Sequence, residues 1–211
     1  MADTITKQGA GDGKRAQAKA ANRQEILEAA RRVFARLGVE SATVRDIIRE
    51  TSLAAGTFYN YFKSKEEVFQ ALADESTIRF RPRLADVRAQ SFDFETYIRT
   101  AYRAYFEFLR DENEPAIESG APHMTLIGVR IDTPEMATVV EEIRADLEKF
   151  LSGEVSEALD TEYITAAAVG IARELGDYML KRRPLDVDGA TQFASTLFLK
   201  GMASFGMPRK T

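Results

Sequence analysis

The chain has 211 residues, of which 45% are apolar and 29% charged, a composition typical of a globular protein that forms one sizeable domain or two smaller ones. It contains no cysteine, which excludes disulfides and thiolate metal sites, and its first residues lack the apolar core of a signal peptide. No run of about 18 apolar residues occurs, so we expect no membrane span and a cytoplasmic location.

The net charge of −4 is unevenly distributed along the chain. Residues 1–65 hold 12 Lys and Arg against 7 Asp and Glu, whereas residues 66–211 hold 17 against 26. A basic first third on an acidic remainder is expected when only one end of a protein meets phosphate. The asymmetry therefore favours a nucleic-acid partner for the N-terminal part.

Residues 1–21 are rich in Ala, Gly, Lys and Gln and show no apolar pattern. Such a composition indicates a disordered basic arm. In an alternative reading, Lys14, Arg15 and Lys19 add phosphate or minor-groove contacts to a DNA complex.

Residues 22–38 predict a helix that is ended by Gly38. Its apolar stripe is Ile26, Ala30, Val33, Phe34 and Leu37. We expect this helix to pack behind the segment that follows it, with Arg31, Arg32 and Arg36 on a solvated face.

Two short helical patterns follow between Thr43 and Lys65. Thr43 with Asp46 makes a threonine cap followed three residues later by an acid, which predicts a helix start. A second short helix is predicted from Ala54 to Tyr61. Two helices joined by a turn of about 3–4 residues, the second with small and hydroxylated side chains, are typical of a helix-turn-helix DNA reader.

The run G-T-F-Y-N-Y-F-K-S-K-E-E-V-F, from Gly56 to Phe69, resembles the signature of the TetR family of bacterial transcriptional repressors. Residues 23–38 are similar to that family's first helix, and the resemblance covers about residues 22–72. It implies an all-α fold, with a three-helix DNA-binding domain over 22–68 and a helical effector-binding and dimerisation domain over 69–211. The implied function is a repressor that a small, largely apolar effector releases from a palindromic operator.

Three positions depart from the family pattern. Ser52 occupies the usual glycine of the turn, Ala54 replaces the capping residue of the second helix, and Ala55 replaces a position that is often polar or basic. Loss of a cap costs about 1 kcal/mol of helix stability. The sequence therefore does not specify which bases the protein contacts.

The residues predicted to contact DNA lie in this segment. We expect Thr43 and Lys65 to contact phosphates, and Arg45 and Ala55 to reach base edges. Phe58 and Phe62 are interpreted as core. The full predicted set is Thr43, Arg45, Ala55, Gly56, Thr57, Tyr59, Asn60, Tyr61 and Lys65.

The remainder of the chain reads as helices. The patterns predict helices over 64–86, 92–111, 136–151, 161–181 and 187–205, with a broken segment over 113–134. Pro82 is expected to kink or end the first of them. There is no glycine-rich phosphate loop and no repeat.

An effector cavity is predicted between these helices, because bundles hold ligands between apolar faces. The candidate lining residues are Tyr102, Tyr105, Phe106, His123, Met124, Ile127, Arg173 and Tyr178. A simple core is the alternative for most of them, and a surface pair is the alternative for Arg173 with Glu174. No cofactor and no metal are implied.

The last two predicted helices carry small residues among large apolar ones, which favours a two-fold homodimer through a four-helix interface. Burial of the same faces within one chain is the alternative. With one histidine, no cysteine and no E-x-x-H spacing, the sequence shows no catalytic constellation, and we predict that the protein is not an enzyme. A protein-interaction module that has lost specific DNA binding, a helical-bundle enzyme and an activator of the same fold remain as alternatives.

Overall fold

The computed structural model describes residues 6–118, 133–151 and 159–205, and these form helices without any strand. The helices are α1 (Thr6–Leu37), α2 (Val44–Arg49), α3 (Ala55–Phe58), α4 (Lys65–Gln90), α5 (Phe94–Glu118), α6 (Pro134–Phe150), α7 (Thr161–Lys181) and α8 (Val187–Ala203). The predicted all-α fold class is confirmed. The chain divides into two compact units between Leu72 and Ala73, inside α4. None of the described helices has the length and hydropathy of a membrane span.

The core of the N-terminal unit is built on α1. Leu27 and Phe34 are fully buried, as are Ile47 of α2 and Phe58 of α3. The Phe34 ring meets the Phe69 ring edge-on, with centroids 5.9 Å apart. One helix thus supplies the surface against which the two short helices are held.

The start of α1 differs from the expected disordered arm, because the helix begins at Thr6. Side chains 13–21 are exposed, so no core packing explains this extension. Residues 14–21 are Lys, Arg, Ala and Gln, which are strong helix formers, and adding a residue to an existing helix needs no new nucleus. The predicted end is confirmed: Gly38 has φ 77° and its N–H donates to the Phe34 carbonyl at 2.9 Å.

The second short helix is shorter than predicted. α3 ends at Phe58, and the chain continues in tight turns in which the Tyr61 N–H donates to the Phe58 carbonyl at 2.9 Å. Ala54 occupies the cap position and makes no side-chain cap bond, as expected. Ser52 does not need glycine's freedom, since no residue other than glycine has a positive φ in the part of the chain that is described.

α4 continues through Pro82 to Gln90, so the expectation that the helix ends near residue 86 is wrong. Phe80, Leu84 and Val87 on either side of the proline are buried, while Pro82 itself is exposed. Burial of this apolar face compensates for the hydrogen bond that the proline ring removes.

In the C-terminal unit α7 has the predicted bounds, Thr161–Lys181, whereas α5 continues to Glu118, past its predicted end at residue 111 and into the segment predicted to be broken. Close packing of α5 against α7 depends on Gly176. A Cβ added there would lie 2.4 Å from Leu109 Cδ1 and 3.2 Å from Tyr105 Cε1. The glycine therefore lets these two helices approach beside Tyr105.

Candidate nucleic-acid interface and ligand cavity

A capping box fixes the start of α2. The Thr43 hydroxyl donates to Asp46 Oδ2 at 2.5 Å, and the Asp46 N–H donates to the same hydroxyl at 3.2 Å. The hydrogen bond from the Thr43 side chain holds the pKa of Asp46 below its ordinary value. The Thr43 hydroxyl, predicted to contact phosphate, therefore already donates its one hydrogen bond within the protein.

Side chains of α1 hold the turn between α2 and α3. Glu25 Oε1 accepts from the Ser52 N–H at 2.5 Å. Glu50, which follows α2, is paired with Arg32 at 3.0 Å and with Arg36 at 2.5 Å. Burial opposes ionisation of Glu50, but the hydrogen bonds from both arginines outweigh it and its pKa lies below the ordinary value. These arginines, interpreted from sequence as a solvated face, fix the geometry of the turn.

The exposed face of α3 and the turn after it contains most of the predicted reading residues. Ala55, Gly56, Tyr59 and Asn60 are exposed, and the pairs Ala55–Tyr59 and Gly56–Asn60 have the four-residue spacing that places side chains on one face. The Tyr59 side chain is 63% exposed, and a Cβ added at Gly56 would meet nothing within 4 Å. This surface has space for the close approach of a partner.

The other predicted contact residues have different environments. Arg45 on α2 is exposed, and Thr57 is half-buried. The Tyr61 hydroxyl accepts a hydrogen bond from Asn22 Nδ2 at 3.1 Å. Tyr61 therefore joins the turn after α3 to α1.

Lys65 is committed to the fold. Its Nζ donates to the carbonyls of Val39 and Glu40, both at 2.8 Å. An ammonium has three N–H donors, so one remains after these two bonds. The structure thus gives Lys65 a role that the sequence did not predict, which is to anchor the loop between α1 and α2.

A cavity of about 70 Å³, partly open to solvent, lies in the C-terminal unit and is lined by residues of α4, α5, α6 and α7. Of the predicted ligand residues, Tyr102, Tyr105 and Arg173 line it. The lining residues are Phe80, Leu84, Tyr97, Ile98, Ala101, Tyr102, Tyr105, Met136, Ile143, Leu147, Ala168, Val169, Ala172 and Arg173. The wall is apolar apart from three phenol hydroxyls and a single charged residue, Arg173.

The remaining predicted ligand residues do not form part of this wall. Phe106 is buried beside Tyr102 but does not line the cavity, and Tyr178 is 66% exposed. His123, Met124 and Ile127 lie outside the described residues. Tyr97, which does line the cavity, was not singled out as a ligand residue because its position relative to α6 is a tertiary property.

No metal site accompanies the cavity in the described ranges. Residues 6–118, 133–151 and 159–205 contain no group of three or more His, Asp or Glu side chains that could hold a metal ion. Arg173 is paired with Glu174 at 2.9 Å, and both side chains are exposed. The surface-pair alternative for these two residues is the one that the structure shows.

The N-terminal part of the chain is similar in sequence to known proteins, whereas most of the chain is similar to them in fold. Residues 26–72 match the family model for bacterial regulatory proteins of the tetR family. The HTH-type transcriptional repressor AcnR of Corynebacterium efficiens is 48% identical over 58 residues, which are 28% of this chain and 31% of that protein. The match therefore spans less than a third of this curated relative.

Solved structures match over nearly the whole chain. FadR from Bacillus subtilis, in complex with stearoyl-CoA, has a TM-score of 0.61 at 18% identity and covers 84% of this chain and 98% of that one. FadR from Bacillus halodurans has a TM-score of 0.60 at 22% identity, covering 85% and 95%. At these identities the likeness shows a shared fold.

Together, the α2–turn–α3 geometry and the N-terminal match define a helix-turn-helix protein. Over residues 26–72 the chain is similar to the TetR family of bacterial regulatory proteins.

Proposed function

We propose that the protein is a transcriptional repressor that binds a palindromic operator as a homodimer and is released by a small, largely apolar effector. The observation that carries the proposal is the exposed α3 face, in a segment that matches a family of DNA-binding regulators. Its small residues Ala55 and Gly56 allow close approach to base edges, and Ala55 is suited to contact a thymine methyl.

The charge distribution supports DNA as the partner. The basic excess lies in residues 1–65, where Lys14, Arg15 and Lys19 extend along the exposed start of α1. Arg45 and Tyr59 are exposed near α3 and have polar groups that suit bases or phosphates. We assign Thr43 and Lys65 to positioning α2 and the loop before it, because their polar groups are engaged within the protein.

Two exposed helix faces in the C-terminal unit support a homodimer. Phe193 and Leu197 on α8 are 59% and 51% exposed, and Tyr163 on α7 is also exposed. Cβ atoms added at Gly170 of α7 and Gly201 of α8 would meet nothing within 4 Å, so packing within one chain does not require either glycine. A glycine inside a helix costs about 1 kcal/mol, and close approach of a second copy gives a reason for that cost.

A route from effector to DNA is offered by α4. Its residues 65–72 belong to the N-terminal unit, and its later residues Phe80 and Leu84 line the cavity. A ligand that displaces this wall acts on a helix that also belongs to the reading unit. The ligand shifts the equilibrium only by its difference in affinity for the two states, typically about 1–3 kcal/mol.

The test is selection of bound sequences from random duplex DNA, followed by gel shift of the purified full chain. We expect a two-fold symmetric site and an affinity that falls steeply with salt, because phosphate contacts release counterions. Tyr59→Ala should weaken the complex, whereas the control Phe92→Ala, at a side chain that is 92% exposed just before α5, should bind DNA like the wild type.

A chain that binds no duplex at low ionic strength would contradict the proposal. That outcome would favour the alternative of an interaction module of the same fold that has lost specific DNA binding. The uncapped Ala54 and the alanine at position 55 are the features that support this alternative.

A further inference from the structure

Three tyrosines supply most of the polar groups in the wall of the cavity. Tyr97, Tyr102 and Tyr105 come from successive turns of α5, and the one charged residue in the wall is Arg173 of α7. Every other lining residue is aliphatic, aromatic without a polar atom, or methionine. Whether each phenol O–H already donates a hydrogen bond within the protein therefore decides which polar group of a ligand the cavity can bind.

Two of the three phenol hydroxyls already donate hydrogen bonds within the protein. The Tyr97 hydroxyl donates to Asp146 Oδ2 at 2.9 Å, and the Tyr102 hydroxyl donates to the Ala168 carbonyl at 3.2 Å. Both phenols are buried. Neither can donate to a ligand without giving up its bond inside the protein, at a cost of about 0.5–3 kcal/mol.

Tyr105 is different. Within residues 6–118, 133–151 and 159–205 its hydroxyl has no hydrogen-bond partner, although the side chain is only 8% exposed. Its ring is held edge-on against Phe80, with centroids 5.6 Å apart, and close to Gly176. Burial raises the pKa of Tyr105, so the hydroxyl keeps its proton and can donate it to an acceptor.

The charges near Tyr105 disfavour an ionic ligand. Arg173 is paired with Glu174 at 2.9 Å, and the half-buried Asp177 lies one turn further along α7. An anionic head group at Arg173 would lie near the carboxylates of Glu174 and Asp177, whereas a cationic one would meet Arg173. Removing either ion from water without a full partner is costly.

We propose that the effector is an uncharged, apolar molecule with a carbonyl group, and that Tyr105 is the specificity-determining residue that donates a hydrogen bond to it. This inference rests on the proposed function, whose effector it specifies. A cavity of about 70 Å³ holds only a few non-hydrogen atoms, so a larger ligand must widen it or extend beyond it. Met136 is the lining side chain with the most freedom to move aside.

The test uses four probes with the same five-membered ring and different polar groups. Cyclopentanone carries the carbonyl, methylenecyclopentane has the same shape without an acceptor, and cyclopentanecarboxylate and cyclopentylammonium carry opposite charges. Dissociation constants are measured with the full chain by ligand-observed NMR. We expect both ionic probes to bind more weakly than cyclopentanone.

Two variants separate the hydrogen bond from the shape of the cavity. Tyr105→Phe should weaken cyclopentanone binding about fivefold, the value of one ordinary hydrogen bond, and leave methylenecyclopentane binding unchanged. The matched control Tyr102→Phe should change the affinities for the two probes by the same factor, because its proton is not available to either.

The inference is overturned if cyclopentanecarboxylate binds most tightly, which would place an anion at Arg173. It is also overturned if Tyr105→Phe affects both neutral probes equally, or if no probe binds. Gel shift of the same wild-type preparation keeps the two proposals apart. If the protein binds its selected DNA but none of the probes, this inference is contradicted and the proposed function stands. If it binds cyclopentanone through Tyr105 but no DNA, the ligand assignment stands and the repressor function is contradicted.

Discussion

The hydroxyl of Tyr97 donates a hydrogen bond of 2.9 Å to Asp146, and this bond joins α5 to α6 inside the C-terminal unit. Arg88 of α4 donates to the same carboxylate oxygen at 2.7 Å. Asp146 is only 7% exposed, and a buried carboxylate is stable only when it is paired and hydrogen-bonded. The Asp146 carboxylate therefore connects α4, α5 and α6, three of the four helices that line the cavity. Its donor from α5, Tyr97, is itself a lining residue.

We predict that Tyr97→Phe lowers the free energy of unfolding by about 1.5–3 kcal/mol, the usual contribution of a hydrogen bond to a charged group. Burial raises the pKa of Tyr97, so the proton is present at any working pH. Urea denaturation followed by circular dichroism measures the effect. Tyr163→Phe is the control, because Tyr163 is 78% exposed. A loss no larger than that of the control would show that Arg88 alone satisfies Asp146.

Lys65 allows a test of positioning against phosphate contact. Lys65→Met removes both bonds to the carbonyls of Val39 and Glu40, and we expect the unfolding free energy to fall by about 1–3 kcal/mol. DNA affinity should fall as well, since the loop before α2 is released. The salt dependence of binding should stay as in the wild type.

The control for this variant is Lys63→Met, which removes an exposed lysine two residues earlier. If Lys65 acts on phosphate alone, its loss would leave stability unchanged and reduce the slope of log affinity against log salt by about one.

Glu50 predicts a dependence of stability on pH. Its pKa in the folded protein lies below the ordinary 4.5, because hydrogen bonds from Arg36 and Arg32 outweigh the cost of burial. A carboxyl with a lowered folded pKa stabilises the fold above its unfolded pKa, and this contribution is lost as pH falls through the folded value. Glu50→Gln should therefore show a shallower loss of melting temperature below about pH 4.5 than the wild type. Equal acid slopes for the two proteins would refute the assignment.

Local signals predicted much of this structure. The box formed by Thr43 and Asp46 and the end of α1 at Gly38 depend on residues within one turn of each other, and both are confirmed. α7 was predicted with its bounds because its apolar residues recur at helical spacing between Asp160 and Arg182. Such features are properties of short stretches of chain.

The unpredicted features depend on residues far apart in sequence. Lys65 bonds to a carbonyl 26 residues earlier, Glu25 accepts from an N–H 27 residues later, and Tyr97 donates to an acid 49 residues later. No spacing rule encodes such pairs. The same limit explains why Tyr105 was predicted as a cavity residue, while the absence of a partner for its hydroxyl among the described residues was not predicted.

The dimer predicts that a charge on the exposed face of α8 separates the copies without unfolding the chain. Leu197 is 51% exposed within one chain, so Leu197→Glu should cost little in a monomer. In a close-packed interface the buried carboxylate would be unpaired and strongly unfavourable. Analytical ultracentrifugation should show a monomer for this variant and a dimer for Ala145→Glu, which alters the exposed side of α6. A wild type that sediments as a monomer would contradict the assignment.

Gly176 links helix packing to the cavity. A Cβ at this position would lie 2.4 Å from Leu109 Cδ1 and 3.2 Å from Tyr105 Cε1, so Gly176→Ala must push both side chains away from α7. Overpacking of this kind costs about 1–3 kcal/mol even though alanine favours a helix. We therefore expect lower stability to urea and, because Tyr105 moves, weaker binding of cyclopentanone. The control is Gly13→Ala on the exposed start of α1, where a Cβ meets nothing within 4 Å and no loss of stability is expected. A Gly176→Ala variant as stable as this control would show that Leu109 and Tyr105 move away from α7 without strain. The cavity wall would then deform more easily than its packing indicates.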